Sequence, residues 1–152
     1  MKLAEALILK ADLKRKAGQL LERLKRNIRV RKGQEPVEAP DSLLDELDRV
    51  GADLESLVRR VHWTNANLMF DAEHRISDAI AMRWMLDLRI KILQSVIDHI
   101  WESDQWLTCT VVTVDTAALQ KQLDMLNRKR RDLDAKLQAI RWQEDLLALP
   151  PP

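Results

Sequence analysis

The chain has 152 residues, of which 46% are hydrophobic, 32% are charged and 4% are aromatic. This composition, with only three glycines, is typical of one helical domain that is long enough to bury a core. A net charge of +1 and a lone cysteine, Cys109, exclude a nucleic-acid-coating polycation, an acidic disordered tail and a disulfide-stapled secreted scaffold.

No targeting or membrane segment is evident in the sequence. The amino-terminal apolar patch is interrupted by Glu5 and closed by Lys10 and Asp12, so it lacks the uncharged stretch of a signal peptide. The longest run without charge, residues 105–114, is much shorter than the ~20 residues that a membrane helix needs. We therefore expect a cytoplasmic protein with no membrane partner.

The first two predicted helices are separated by residues 33–40, which hold a glycine and two prolines. They divide a helix over 2–31 from one over 42–68, which Asp41 or Ser42 can cap. Apolar side chains of the second helix recur at alternating spacings of four and three residues, the pattern of a sustained packing seam. The seam consists of Leu43, Leu47, Val50, Leu54, Leu57, Val61, Thr64 and Leu68.

Two glycines, Gly18 and Gly51, lie inside these helices. A glycine within a helix costs up to ~1 kcal/mol relative to alanine. Their presence therefore predicts that another backbone approaches closely at both positions.

A third helix is predicted over 76–104 and is apolar nearly all round. Its first stripe contains Ile76, Ala79, Ile80, Arg83, Leu86, Ile90, Leu93, Ile97 and Ile100, and its second contains Met82, Met85, Ile92 and Val96, with Trp84 and Leu88 between. In a monomer of four helices each helix turns one face to water, so two apolar faces predict self-association.

Residues 106–114 are rich in Val, Thr and Trp and predict a short strand. No second segment looks like its partner, so we expect it to pair with the same strand of another subunit across a two-fold axis. A fourth helix, capped by Asp115, is predicted over 116–145. The predicted oligomer interface consists of Trp84, Met85, Leu88, Ile92, Val96, Trp106, Thr108, Thr110 and Val112.

The predicted fold is mainly α, with four long helices that form antiparallel hairpins in a bundle and one β segment between helices three and four. Residues 1–149 are expected to form a single helical domain, followed by a proline tail over 150–152.

Charge is distributed unevenly, with +8 over residues 1–32 and −7 over residues 34–57. Taken alone, the basic cluster resembles a nucleic-acid patch. Since the first hairpin should be antiparallel, we expect acids of the second helix to neutralise the cluster, and we predict no nucleic-acid partner. The cluster is Arg23, Lys25, Arg26, Arg29, Arg31 and Lys32, and the acids are Asp41, Asp45, Glu46 and Asp48.

Chemistry-bearing patterns are sparse. Asp71, His74 and Asp78 are candidate ligands of a metal ion, although capping of the third helix explains their positions equally well. Paired Glu-x-x-His motifs and glycine-rich phosphate loops are absent from the sequence, so neither an enzyme nor a cofactor is predicted. Arg83 and Arg130 lie in apolar seams and need acceptors, which Asp78, Asp87 or a second subunit can supply.

Several segments are similar to the septicolysin-like family of small bacterial proteins. They are residues 1–13, 33–36, Thr64, Asn65, residues 77–81 with Arg83, residues 131–134, Ile140 and Trp142. The resemblance implies a cytoplasmic helical homo-oligomer, with a hexamer as one expectation and no established activity. Among these residues Thr64, Asn65 and Arg83 are the candidates for binding a small ligand.

The sequence as a whole thus favours a non-catalytic helical homo-oligomer with a structural or interaction role. Two alternatives stay open. One is a metal- or small-ligand-binding protein with a site near the turn between helices two and three. The other is a membrane-active cytolysin, which the name of the similar family suggests.

Overall fold

A computed structural model describes residues 1–103 and 111–151, and this part of the chain contains four long helices. They are α1 (Leu3–Asn27), α2 (Pro40–Asn67), α3 (Ile76–Ser103) and α4 (Thr116–Gln143). Within the described residues no sheet is formed, and the only extended pairings are isolated bridges between Lys2 and Asp145 and between Met69 and Arg75. The prediction of a mainly helical fold with four helices is confirmed.

The chain divides into two compact units. The first comprises Met1–Asn67 and Arg141–Pro152, and the second comprises Leu68–Ile140. The single domain expected over 1–149 stays a prediction.

The first unit is built on an antiparallel hairpin of α1 and α2. Lys16 of α1 pairs with Glu46 of α2 at 2.9 Å, and seven residues later Arg23 contacts Glu38, which lies before α2. Partners that move back along one helix as they move forward along the other define an antiparallel pair. Its core cluster consists of Leu20, Leu24, Leu43 and Val50, with Leu13, Ala17 and Leu47 packed against it.

The turn of this hairpin is organised by Asn27, where α1 ends earlier than the predicted residue 31. Asn27 is buried, donates from Nδ2 to the carbonyl oxygen of Arg23 at 2.9 Å and accepts from the backbone N–H of Glu38 at 3.0 Å. The amide thus ends the helix and fixes the loop. Helix α2 then begins at Pro40, whose missing N–H suits the first position of a helix, rather than at the predicted caps Asp41 or Ser42.

The segment after α4 completes the first unit. The N–H of Leu3 donates to the carbonyl oxygen of Glu144, and the N–H of Leu146 donates to that of Met1, both at 2.9 Å. Leu146 is buried, so this short segment belongs to the core of the unit.

The second unit starts with a tight turn before α3. The N–H of Phe70 donates to the carbonyl oxygen of His74 at 2.8 Å, and the N–H of Ile76 donates to that of Leu68 at 3.0 Å. Phe70 and Ile76 are both buried. The turn therefore anchors the amino terminus of α3 in the core.

Helices α3 and α4 run antiparallel within this unit. Arg83 pairs with Asp134, and Asp87, one turn further along α3, pairs with Arg130, one turn earlier in α4. The predicted cap of α4 is confirmed, since Oδ1 of Asp115 accepts from the N–H of Ala118 at 3.0 Å.

The predicted strand over 106–114 is wrong in its described part. Residues 111–114 form neither a strand nor a bridge, and residues 104–110 lie outside the described residues. β-branched side chains favour extended backbone, but a strand also needs a ladder partner. The described chain offers residues 111–114 none.

The close backbone approach predicted at Gly18 and Gly51 is not found within the described chain. No heavy atom outside the immediate helix lies within 4 Å of a Cβ built at either position. Both glycines face open space, so neither is needed for packing in the chain as described.

No helix among the described residues is both long enough and apolar enough to span a membrane.

Candidate functional site

One face of α3 is packed and confirms the first predicted stripe. Its side chains are buried or half-buried, and Arg83 within it reaches Asp134 of α4. The stripe contains Ile76, Ala79, Ile80, Arg83, Leu86, Ile90, Leu93, Ile97 and Ile100.

The opposite face of α3 is apolar as well, and it is exposed. Ala81, Met85, Leu88, Ile92 and Val96 fall within one narrow arc when positions advance by about 100° per residue. That arc lies roughly 150° from the packed stripe. All five side chains are exposed, Ile92 by 53%. We call these five residues the apolar face of α3.

Two larger side chains border this face. Trp84 lies along one edge and is 63% exposed, and Met82 lies along the other edge and is also exposed. Each edge also carries a cation, Lys91 on the side of Trp84 and Arg89 on the side of Met82, and both are exposed. Single exposed apolar residues are ordinary, whereas these five form one contiguous apolar stripe over four helical turns.

Only some residues of the interface predicted from the sequence are among those that the structure describes. Its α3 members, Trp84 through Val96, are all exposed, as is Val112. Trp106, Thr108 and Thr110 lie outside the described residues. Burial of these residues by a second subunit stays a prediction.

Ion pairs join α3 to α4 on the packed side. Nε of Arg130 donates to Oδ1 of Asp87 at 2.7 Å, Nη1 of Arg83 lies 3.5 Å from Oδ1 of Asp134, and Arg130 also contacts Asp134. The hydrogen bond from Arg130 holds the pKa of Asp87 below its ordinary value. Asp87 is thus confirmed as an acceptor for the seam arginines, whereas Asp78 is not one in the described structure.

Asp134 was missed by the sequence reasoning, although it lies one turn after Arg130 at a spacing that favours ion pairs. Arg83, a predicted ligand-binding residue, therefore has a structural partner for its guanidinium group.

The other predicted ligand-binding residues lie in the first unit. Thr64 is fully buried, and its Oγ1 donates to the carbonyl oxygen of Arg60 at 2.8 Å and accepts from the N–H of Leu147 at 3.0 Å. Asn65 is half-buried, and its Oδ1 has no hydrogen-bond partner within the described part of the chain. Thr64 thus holds the carboxyl-terminal segment in place, and a ligand role for Thr64, Asn65 and Arg83 stays a prediction.

The three candidate metal ligands, Asp71, His74 and Asp78, lie in the turn before α3 and at the start of that helix. Oδ1 of Asp71 accepts from the N–H groups of Glu73 at 2.9 Å and His74 at 2.8 Å, and lies 3.0 Å from Nδ1 of His74. These bonds, the one from Glu73 first, hold the pKa of Asp71 below its ordinary value. Asp78 accepts from the N–H of Arg75 at 2.8 Å, as a helix cap does.

Among residues 1–103 and 111–151 no group of three or more His, Cys, Asp and Glu side chains is arranged to hold a metal ion. The arrangement of Asp71, His74 and Asp78 matches the capping alternative that the sequence left open.

The basic cluster at the end of α1 is neutralised in part, by Glu46, which was predicted, and by Glu38, which was not. Arg23 contacts Glu38 and Glu46, and Lys16 contacts Glu46. Hydrogen bonds from Arg23 and Lys16 hold the pKa values of Glu38 and Glu46, respectively, below their ordinary value.

Of the predicted acids only Glu46 takes part in these pairs. Asp41, Asp45 and Asp48 are exposed and form no ion pair with the cluster among the described residues. The helical period explains the difference, since Glu46 lies on the same side of α2 as the buried Leu43 and Val50, whereas the three aspartates lie on the outer side.

Comparison with known proteins gives two matches. The sequence model of a family described as a family of unknown function, DUF6847, matches residues 10–146. The chain is also similar to a functionally unknown conserved protein from Corynebacterium diphtheriae, whose crystal structure superimposes with a TM-score of 0.91. That match has 27% identity and covers 97% of this chain and 99% of that one. No curated protein matches.

These matches overturn the resemblance to the septicolysin-like family, to which none of the findings points. The shared segments were largely alternations of apolar and charged residues, which any amphipathic helical hairpin contains. The hexamer and the cytolytic activity that the resemblance suggested lose their basis with it.

Proposed function

We propose that this chain, which belongs to the family of unknown function DUF6847, is a non-catalytic helical protein that works as a homo-oligomer. The apolar face of α3 is the surface through which copies of the chain bind one another. The observation that carries this proposal is the exposure of Ala81, Met85, Leu88, Ile92 and Val96 on the side of α3 opposite its packed stripe.

The exposed apolar area of this face favours association. Full burial of a fully exposed aliphatic side chain gains roughly 1.5–3 kcal/mol, so each of these half-exposed side chains gains about half of that, and a face of several of them favours association over exposure to water. The net charge of +1 adds little repulsion between identical copies. The two cations at its edges, Arg89 and Lys91, keep the surface compatible with water until a partner binds.

The proposal is tested by light scattering coupled to size-exclusion chromatography. The wild-type chain is expected to elute as an oligomer at tens of micromolar. The variant Ile92→Glu places a carboxylate at the centre of the apolar face and is expected to elute as a monomer.

Ile8→Glu serves as the matched control. Ile8 is exposed on α1 to the same degree as Ile92, 54% against 53%, and is not part of the apolar face. It is expected to leave the oligomer intact, and circular dichroism checks that both variants keep their helices. A monomeric wild-type chain, or an Ile92→Glu variant as oligomeric as the control, contradicts the proposal.

A further inference from the structure

The apolar face of α3 specifies how a second copy docks on it. We infer that two α3 helices pack antiparallel, with Met85 of one copy opposite Leu88 of the other and Ala81 opposite Ile92. This inference rests on the proposed self-association and adds its geometry, namely the direction of the second helix and its register.

The spacing of the apolar residues favours this antiparallel register. The intervals from Ala81 to Met85, Leu88 and Ile92 are four, three and four residues, so the series is the same in both directions along the helix. A reversed copy therefore matches each of these four apolar positions with another of the four, while Val96, the fifth residue of the face, lies beyond them and is level with Ser77 of the second copy. The match also pairs the smallest side chain, Ala81, with the branched Ile92, as interdigitating layers require.

The edges of the face favour the same register. In this antiparallel register the side chain of Trp84 lies beside Lys91 of the second copy, and Met82 lies beside Arg89 of the second copy. An ammonium group over an indole ring is a favourable cation–π contact, worth about 0.5–1 kcal/mol at an exposed site. Met82 covers the aliphatic stem of the arginine. All four side chains are exposed and available for these contacts.

The main competitor is the same antiparallel pair shifted by one heptad. That shift places Leu88 opposite Ile92 of the second copy, which also pairs apolar residues. However, it brings Lys91 against Lys91 and Arg89 against Arg89 of the two copies. Like charges that face each other destabilise a helix pair, so the edges select the first register.

A shift in the other direction and a parallel pair are both disfavoured by Asp78. The first places Asp78 opposite Leu88 of the second copy and leaves Ile92 without a partner. The second places Asp78 against Asp78. A carboxylate buried against an apolar side chain or a second carboxylate costs free energy that the favoured register avoids.

Disulfide trapping between differently tagged copies tests the register. All variants carry Cys109→Ser, since Cys109 is the one native cysteine. Ala81→Cys is mixed with a size-tagged Ile92→Cys and oxidised mildly, and the mixed dimer is quantified on a non-reducing gel. A second mixture, of Leu88→Cys with the same size-tagged Ile92→Cys, is oxidised in the same way and reports the register shifted by one heptad.

We expect the Ala81→Cys and Ile92→Cys mixture to give at least about tenfold more mixed disulfide than the other, since a disulfide needs Cα atoms within about 7 Å. Equal yields, or a higher yield for Leu88→Cys with Ile92→Cys, overturn the inferred register while light scattering still finds the oligomer. A chain that is monomeric by light scattering instead refutes the proposed function itself.

Discussion

At the scale of single residues, Thr64 shows how one hydroxyl group connects distant parts of the chain. It is fully buried in α2, and its Oγ1 accepts from the N–H of Leu147, which lies after α4. Thr64→Val keeps the volume of the side chain and leaves this N–H without its acceptor. We expect a loss of about 1–3 kcal/mol in the free energy of unfolding, measured by urea denaturation.

Thr113→Val is the control for this measurement because Thr113 is exposed. It should change the free energy of unfolding by less than about 0.5 kcal/mol. Equal effects of the two substitutions would contradict the assigned role of Thr64.

Glu38 gives a pH-dependent prediction at the same scale. The hydrogen bond from Arg23 lowers the pKa of Glu38 in the folded chain below its ordinary value of 4.5. The folded state thus binds the proton less tightly than the unfolded state, so the ion pair stabilises the fold above the ordinary pKa. This contribution is lost as the pH falls through the lowered pKa.

We therefore expect wild type to melt at a higher temperature than Glu38→Gln at pH 7, and the two melting curves to converge at acidic pH. The measurement is thermal denaturation followed by circular dichroism across that range. Glu35→Gln is the control, since Glu35 is exposed in the same loop and forms no ion pair among the described residues. A difference between wild type and Glu38→Gln that persists at low pH would count against the ion pair.

At the scale of the helix, α2 contains a glycine that lowers the stability of the helix. Gly51 lies in the middle of α2, and a Cβ added there meets no heavy atom within 4 Å. Gly51→Ala removes the conformational freedom of glycine in the unfolded chain without a clash in the folded one. We expect the free energy of unfolding to rise by about 0.4–1 kcal/mol in urea denaturation.

A decrease in stability on Gly51→Ala would mean that another molecule approaches α2 at this position. Gly33→Ala is the informative contrast. Gly33 has a φ of 87°, a conformation that strains any residue with a Cβ, so the same substitution is expected to destabilise the chain.

The helices themselves could largely be predicted from the sequence, because a seam of apolar residues reports directly which side of a helix is buried. The heptad pattern located α2, α3 and α4 to within a few residues. The end of α1 was missed because its stop signal is the buried amide of Asn27, whose partner Glu38 is distant in sequence.

The apolar face of α3 could also be predicted from the helical spacing of its residues. The second apolar stripe of α3 is a matter of helical period, and the structure leaves it exposed. Glu46 was predicted as a partner of the basic cluster and contacts Arg23. Glu38, the other acceptor of Arg23, and Asp134, the acceptor of Arg83, were not predicted, because a charge pattern gives the sign of a partner without its side of the helix. Residues 111–114 were assigned to a strand because side-chain propensity carries no information on the pairing partner.

At the scale of the whole molecule, the proposed self-association couples folding to concentration. If the apolar face of α3 is buried only in the oligomer, dissociation accompanies unfolding, and mass action raises the melting temperature with protein concentration. A hundredfold increase in concentration corresponds to about 1.4 kcal/mol per chain of a dimer, and for a chain of this size to a rise of about 3–5 °C.

Differential scanning calorimetry of the wild-type chain between about 1 and 100 µM measures this rise. Ile92→Glu should melt at a temperature that does not depend on concentration, because its folded state is a monomer and unfolds without dissociation. Ile8→Glu should keep the wild-type dependence, since Ile8 lies on α1 and outside the apolar face. A wild-type melting temperature that stays constant over this range would mean that the exposed face of α3 does not bind a second copy when the chain folds.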